Sequence, residues 1–270
     1  MPPGRRSSQR QSKPMIKAVL FDLDGTIRHN DPRRFDVFAA QAAQLGLRVR
    51  EDDLLRAIRW EHYYWAISRE YLDDHARFNG QEDGFWLAYS HRQLVALGAS
   101  TAQAVELAPK MQEYMDENYE PRSVIPDDLP GVLETLNDAG RKLGVVSNRR
   151  EPIQDEVAEL GLAAYFAFSL ASGEINVWKP DAEIFLHACK RMDVRPEEAA
   201  YVGDNYFADV VGARRAGVMP VLYDPREVFD DPECAVIRSF VALPRVLGVD
   251  GVKQGTNTPT SPRGTTIATR

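Results

Sequence analysis

Long apolar runs are missing from this sequence. No stretch approaches the roughly 20 apolar residues that span a bilayer, so no membrane partner is expected. Cysteine is scarce: there are only two, Cys189 and Cys234, which excludes a disulfide framework. The reducing cytoplasm is then the expected compartment, with both thiols free and without chemical duty. Acids are absent from residues 1–14, where Arg5, Arg6, Arg10 and Lys13 give +4, and residues 250–270 carry +2. The net charge is −7, which leaves −13 on residues 15–249. An acidic body argues against nucleic acid as the main partner, because phosphate backbones select basic faces.

The 270 residues, 44% hydrophobic and 27% charged, suffice for one large packed domain or two small ones. Both ends, "MPPGRRSSQRQSKP" and "GVKQGTNTPTSPRGTTIATR", are rich in Pro, Gly, Ser, Thr and Gln and lack apolar periodicity, so both are expected to be disordered. The first shares an Arg- and Ser-rich, acid-free composition with transit peptides. It has no amphipathic apolar face, so ordered protein is expected from about Met15.

From Thr26 to about Pro126 the pattern is helical. Trp60, Tyr63, Tyr64, Ile67 and Tyr71 recur at helical spacing and predict one apolar stripe; Leu107, Met111, Tyr114 and Met115 predict another. "DDHARFNGQEDG" between two such helices reads as a loop. Aromatic stripes of this kind are more often core than ligand platform. After Pro126, short apolar strands ("KLGVVSN", "YFAFSLAS", "AAYVGD", "VMPVLYD") alternate with helices ("PGVLETLNDAG", "EPIQDEVAELG", "PDAEIFLHACKRM", "FADVVGARRAG"). That alternation predicts an α/β domain with a parallel sheet, and such sheets bind ligands at the carboxyl ends of their strands.

Four segments would deliver polar groups to that edge. "VLFDLDGTI" ends an apolar strand in Asp22 and Asp24, although burying an unpaired carboxylate costs several kcal/mol. "VVSN" ends in Ser147 and Asn148, "WKP" supplies Lys179, and "GDNYFAD" supplies Asp204, Asn205 and Asp209. Singly each is ordinary turn or surface chemistry; together, in this order and at strand ends, they point to one site.

With these motifs the chain resembles the haloacid dehalogenase-like hydrolases, the aspartate-nucleophile phosphatases, over about residues 16–247, without either tail. The motifs DxDGT, Ser/Thr after a strand, Lys, and GD with a further acid are all present. The resemblance implies a Rossmann-like three-layer α/β fold with a parallel sheet and an inserted all-helical cap of the first type, as in the phosphoglycolate phosphatase-like branch. Asp22 and Ser147 lie 125 residues apart, whereas a βαβ unit takes about 30. The expected division is a core of residues 15–28 and 126–249 and a cap of residues 29–125.

The resemblance also implies the roles. Asp22 is the nucleophile that forms an aspartyl-phosphate, and Asp24 is the general acid and base. The Asp22 carboxylate, the Asp24 carbonyl and Asp204 hold Mg²⁺. Ser147, Asn148, Gly25, Thr26 and Lys179 surround the phosphate, with Asp209 and Asn205 in support. The i, i+2 spacing puts the Asp22 and Asp24 side chains on one side of an extended segment. Family dehalogenases lack the second aspartate, because a halide leaves without a proton, so Asp24 favours phosphoryl transfer. Phosphate-monoester hydrolysis demands up to ~10²¹-fold acceleration, roughly 28 kcal/mol, so positioning, charge neutralisation and a covalent intermediate must combine.

The expected partner is a small phosphorylated metabolite. A phosphomutase uses the same residues, and a non-catalytic interaction protein of this fold is the other alternative. A signalling receiver is excluded by its shorter length and lack of an insertion. Trp60, His62, Tyr63, Trp65, His91 and Arg92 are further candidates for substrate recognition, each more readily explained by packing or surface placement.

Overall fold

Ala18, Val19, Leu20 and Phe21 are all fully buried, and successive side chains enter different cores. Val19 and Phe21 pack into one, Ala18 and Leu20 into the other. A strand points successive side chains to opposite faces, so this segment must be covered on both sides. That requirement sets the layers.

In the computed structural model, which describes residues 15–249, the chain opens with β1 (Ala18–Phe21) and β2 (His29–Asp31). Five helices follow: α1 (Arg34–Gln44), α2 (Glu51–Trp65), α3 (Arg69–Phe78), α4 (Glu82–Ala96) and α5 (Thr101–Asn118). Then come β3 (Arg122–Val124), α6 (Leu129–Asp138), β4 (Lys142–Ser147), α7 (Gln154–Glu159), β5 (Phe168–Ala171) and α8 (Ser172–Ile175). The chain ends with α9 (Ala182–Met192), β6 (Ala199–Gly203), α10 (Val211–Arg215), β7 (Met219–Tyr223), β8 (Ala235–Ile237) and α11 (Leu243–Val246). The two terminal segments expected to be disordered lie outside the described residues. No helix among the described residues is long and apolar enough to cross a membrane.

Six strands form one sheet in the order β5-β4-β1-β6-β7-β8, every neighbouring pair parallel. Residues of α6, α7 and α11 cover one face and residues of α9 and α10 the other. From β1 the chain goes to β4 and β5 on one side and returns to β6 on the other. The order therefore reverses at β1, and a crevice opens at its carboxyl end, where Asp22 follows Phe21.

β2 and β3 pair antiparallel, His29 opposite Val124 and Asp31 opposite Arg122, and enclose the helical insertion α1–α5. Phe38, Ala42, Ala57, Leu94 and Met111 centre its core. Beside them lies a cluster of aromatic rings, with Tyr64 at 5.2 Å from Trp60 and from Tyr89.

Several elements differ from the sequence reading. The stripe from Trp60 to Tyr71 belongs to two helices, because the chain turns at Ile67 (φ 55°) and Ser68 caps α3 by accepting from the Tyr71 N–H. Tyr71 still packs 5.7 Å from Tyr64, which is why the periodicity looked continuous. "DDHARFNGQEDG" is mostly helical: α3 runs to Phe78 and α4 starts at Glu82, with Asn79 and Gly80 in left-handed conformations between them. "FADVVGARRAG" begins with a π-helical turn, Tyr206–Val210, ahead of α10.

Candidate active site

Lys179 is the largest buried charge in the crevice, only 2% exposed. An unpaired ammonium there would be prohibitive, but all three of its donors are used. Nζ donates to Asp22 Oδ1 (2.6 Å), to Asp209 Oδ1 (2.7 Å) and to the Tyr201 hydroxyl (2.8 Å). Tyr201 in turn donates its own O–H to the Val146 carbonyl on β4 at 2.7 Å. The network thereby links the ends of β1, β4 and β6 to the loop carrying Lys179. The two aspartates hold the Lys179 ammonium well above its ordinary pKa against the opposing effect of burial.

Asp22, Asp204 and Asp209 each offer an oxygen within 4.8 Å of the others. Burial, together with like charge, pushes Asp22 and Asp204 up to about 7 and raises Asp209 as well. Three close carboxylates against one ammonium leave excess negative charge, and the donor set is all oxygen. Both features suit a hard divalent cation.

Local sequence explains the closeness. Gly25 has φ +82°, and a Cβ there would lie 2.4 Å from Asp204 Oδ2. A Cβ on Gly203 would lie 2.2 Å from Asp209 Oδ2, so glycine is required at both places. The π turn bends the chain so that Asp209 faces back to Lys179, and its Oδ2 accepts from the Asn205 N–H at 2.9 Å.

Four of the residues expected at the phosphate or metal make hydrogen bonds within the protein. The Gly25 N–H is used within its own turn, donating to the Arg28 carbonyl at 2.8 Å. Thr26 is fully buried and braces Asp204: its hydroxyl donates to Oδ1 (3.1 Å) and accepts from the Asp204 N–H (3.0 Å). Asn148 grips the Lys179 backbone, donating to its carbonyl (2.9 Å) and accepting from its N–H (2.7 Å), while Oδ1 also accepts from Ser172. Asn205 caps the π turn through the Phe207 and Ala208 N–H groups and donates to the His62 carbonyl of α2. Thr26, Asn148 and Asn205 hold Asp204, the Lys179 backbone and the turn that carries Asp209, and Gly25 leaves room for Asp204. Ser147 is buried at the end of β4, and its hydroxyl makes no hydrogen bond among the described residues.

Asp24 is held by two arginines. Its carboxylate, 39% exposed, accepts from Arg149 through Nε (2.6 Å) and Nη2 (2.7 Å) and from Arg28 Nη1 (3.1 Å). The sequence reading named neither arginine, nor Tyr201. Arg149 directly follows the Ser147–Asn148 strand end, so the rule that such loops line the crevice could have found it.

Of the recognition candidates, His62 reaches the site: Nε2 lies 4.0 Å from Asp204 Oδ2, and burial lowers its pKa to about 4, so the ring is neutral. Arg92 pairs with buried Asp74, Trp60 donates to Glu70, and Trp65 packs among aromatic rings. Tyr63 meets Phe207 edge-on at 5.6 Å.

Two measurements test this geometry. Tyr201→Phe strands one buried ammonium donor, at a cost of about 1–3 kcal/mol in urea unfolding; undiminished stability would contradict the network. The second concerns pH. A carboxyl whose folded pKa lies above its unfolded value stabilises the fold at low pH, and that contribution is lost as pH rises from about 4 to about 7. Without divalent cations, Asp204→Asn should therefore gain stability relative to wild type across that window, and a relative loss would refute the assignment.

Comparison with known proteins shows the family. Residues 16–217 match the family described as haloacid dehalogenase-like hydrolase. The chain is 32% identical to the glyceraldehyde 3-phosphate phosphatase of Methanopyrus kandleri over 77% of this chain and 83% of that protein. It is 31% identical to the ribulose-1,5-bisphosphate 5-phosphatase of Halopiger xanaduensis, over 82% and 90% respectively. The crystal structure of an HAD phosphatase from Thermococcus onnurineus superposes with a TM-score of 0.52 at 26% identity, covering 86% of this chain and 98% of that one. The crevice at β1, its lysine and its aspartates thus belong to a member of the haloacid dehalogenase-like hydrolase family.

Proposed function

We propose that this protein is a Mg²⁺-dependent phosphomonoester hydrolase that cleaves a small phosphorylated metabolite through an aspartyl-phosphate on Asp22. The observation that carries this reading is the buried Lys179 ammonium bonded to Asp22 and Asp209 beside Asp204, with a second carboxylate, Asp24, two residues beyond Asp22. The two curated relatives are named as phosphatases of small phosphorylated sugars, which supports that substrate class.

The Asp22 and Asp204 carboxylates, with the Asp24 carbonyl, would hold Mg²⁺, and Asp209 would support them by holding Lys179. When bound, the ion supplies the positive charge that lets a phosphate dianion approach these carboxylates. Lys179 fixes the Asp22 carboxylate and leaves the other oxygen, Oδ2, to attack phosphorus. As that bond forms, the ester P–O bond breaks, and Asp24 gives its proton to the departing oxygen. Asp24, now ionised, takes a proton from water; the water oxygen attacks phosphorus, releasing inorganic phosphate and restoring Asp22. Ser147, at the end of the adjacent strand β4, would donate to a phosphoryl oxygen.

The helical insertion reads as a cap over this crevice. It touches the core through Asn205 to the His62 carbonyl (2.9 Å), the Arg150–His75 pair (3.2 Å) and Arg226 to Asp36 (2.8 Å). A cap of this kind excludes water and selects the substrate.

Asp22→Asn should retain its far-UV circular dichroism and lose turnover of phosphomonoesters. Chelation with EDTA should silence the wild-type enzyme and Mg²⁺ restore it. Wild-type turnover by the Asp22→Asn variant, or activity indifferent to EDTA, would overturn the reading.

A further inference from the structure

The chain connects the helical insertion to the sheet domain twice, through β2 and β3. A third attachment comes from residues 224–230, "DPREVFD", in the loop between β7 and β8. Val228, only 3% exposed, is buried in the core of the insertion with Phe35, Phe38, Ala57 and Ile58. Among the described residues, Val228 and its neighbour Phe229 are the only members of that core from outside the insertion. The Arg59 guanidinium of α2 grips the loop beside them. It donates from Nε to the Val228 carbonyl (2.6 Å) and from Nη2 to Asp230 Oδ2 (3.2 Å). Arg226 Nη1 donates to Asp36 Oδ1 of α1 (2.8 Å), and its Cζ lies 5.8 Å from the centre of the Phe35 ring.

The sheet domain fixes the shape of this loop. Asp224, buried after β7, accepts from the Val228 N–H (2.9 Å, Oδ1) and from the Phe229 N–H (3.0 Å, Oδ2). Its own N–H donates to the Ile237 carbonyl of β8 at 2.9 Å. Glu227 is left-handed (φ 55°), a conformation that a non-glycine residue keeps only where its surroundings enforce it. Phe229 then reaches the crevice: its ring stacks on Tyr206 of the π turn (5.1 Å, 26°) and lies 5.7 Å from the His62 ring. β4 and β7 stand on opposite sides of β1, so the loop after β7 and the Arg150–His75 contact after β4 flank the crevice. The two flanks are held unequally. One has a buried apolar anchor and charged hydrogen bonds; the other has a single exposed hydrogen bond.

We propose that Val228 and Arg59 are positioning residues: they pin α2 to the β7 side of the crevice, keep His62 against Asp204, and confine opening of the insertion to the β4 side, at the Arg150–His75 contact. The inference rests on reading the insertion as the cap that seats the substrate. Lifting the insertion on the β7 side would expose Val228 and open a void in the apolar core it fills. Separating Arg150 from His75 only returns two exposed side chains to water. The second motion costs far less. Where only the seated cap binds substrate, apparent affinity falls in proportion to the seated fraction, whereas saturating substrate restores the seated state.

The test measures kcat and KM for p-nitrophenyl phosphate with Mg²⁺, and backbone hydrogen–deuterium exchange without substrate, for wild type, Val228→Ala and Arg59→Ala. Each variant should raise KM roughly 5–20-fold and keep kcat within about 3-fold of wild type. Exchange in the variants should quicken in α2 and in residues 204–210 and stay at the wild-type rate in β1 and β4. In the wild-type protein α3, which carries His75, should exchange faster than α2. Arg59→Ala alters a half-exposed side chain and serves if Val228→Ala does not fold. A lower kcat with unchanged KM, or faster exchange spread over the whole chain, is the mark of simple destabilisation and would overturn the proposal. Wild-type exchange in α2 of both variants, or slower exchange in α3 than in α2, would do the same. The exchange measurement needs no turnover and so separates the two readings: an enzyme inert toward phosphomonoesters but with the exchange pattern above would contradict the hydrolase and keep the attachment.

Discussion

Everything at the mouth of the sheet depends on one buried ammonium. Lys179 comes from a loop far along the chain from β1, yet its Nζ lies within hydrogen-bond distance of Asp22, Asp209 and Tyr201. Desolvating three carboxylates in one crevice would be untenable without a cation among them, and desolvating the lysine without acids would be equally so. Each partner makes the other's burial tolerable. The surrounding residues serve that arrangement. Asn148 holds the Lys179 backbone from both sides, Thr26 holds Asp204, and glycines at 25 and 203 give the aspartates the room a Cβ would occupy.

A residue near the site can therefore contribute by holding a charged neighbour, without touching substrate. Asn148, Thr26 and Asn205 hold the Lys179 backbone, Asp204 and the turn that carries Asp209, and Gly25 leaves room for Asp204. Their motif positions are those of binding residues, but they make hydrogen bonds within the protein. Residue type and spacing show which chain segments converge on the site. Which atom faces the ligand depends on the turn geometry after each strand, and that is set by contacts distant in sequence, such as Thr26 with Asp204.

The same physics explains what was legible in the fold. The parallel strands could be read because strands covered on both faces are near-continuously apolar, as in Ala18–Phe21, Ala199–Gly203 and the stretch 143–146. The helix α6 followed from Pro130 near its start and Gly140 just past its end. What stayed hidden was tertiary. The break at Ile67 is masked because Tyr71 returns to the same aromatic cluster, and α3 reaches Phe78 through residues whose polar side chains resemble a loop. The three-residue strands β2, β3 and β8 are too short to show a period. The position of Arg149 just after a strand end could have marked it, but its partner Asp24, 125 residues away, is visible only in the fold.

The account turns on whether Asp22 becomes covalently phosphorylated. Acid quenching of the Mg²⁺-loaded enzyme during turnover of a ³²P-labelled phosphomonoester, followed by peptide mapping, addresses this directly. The account predicts base-labile label on the peptide that contains Asp22, and on no other. Turnover with no trapped label, or label on a peptide lacking Asp22, would contradict it.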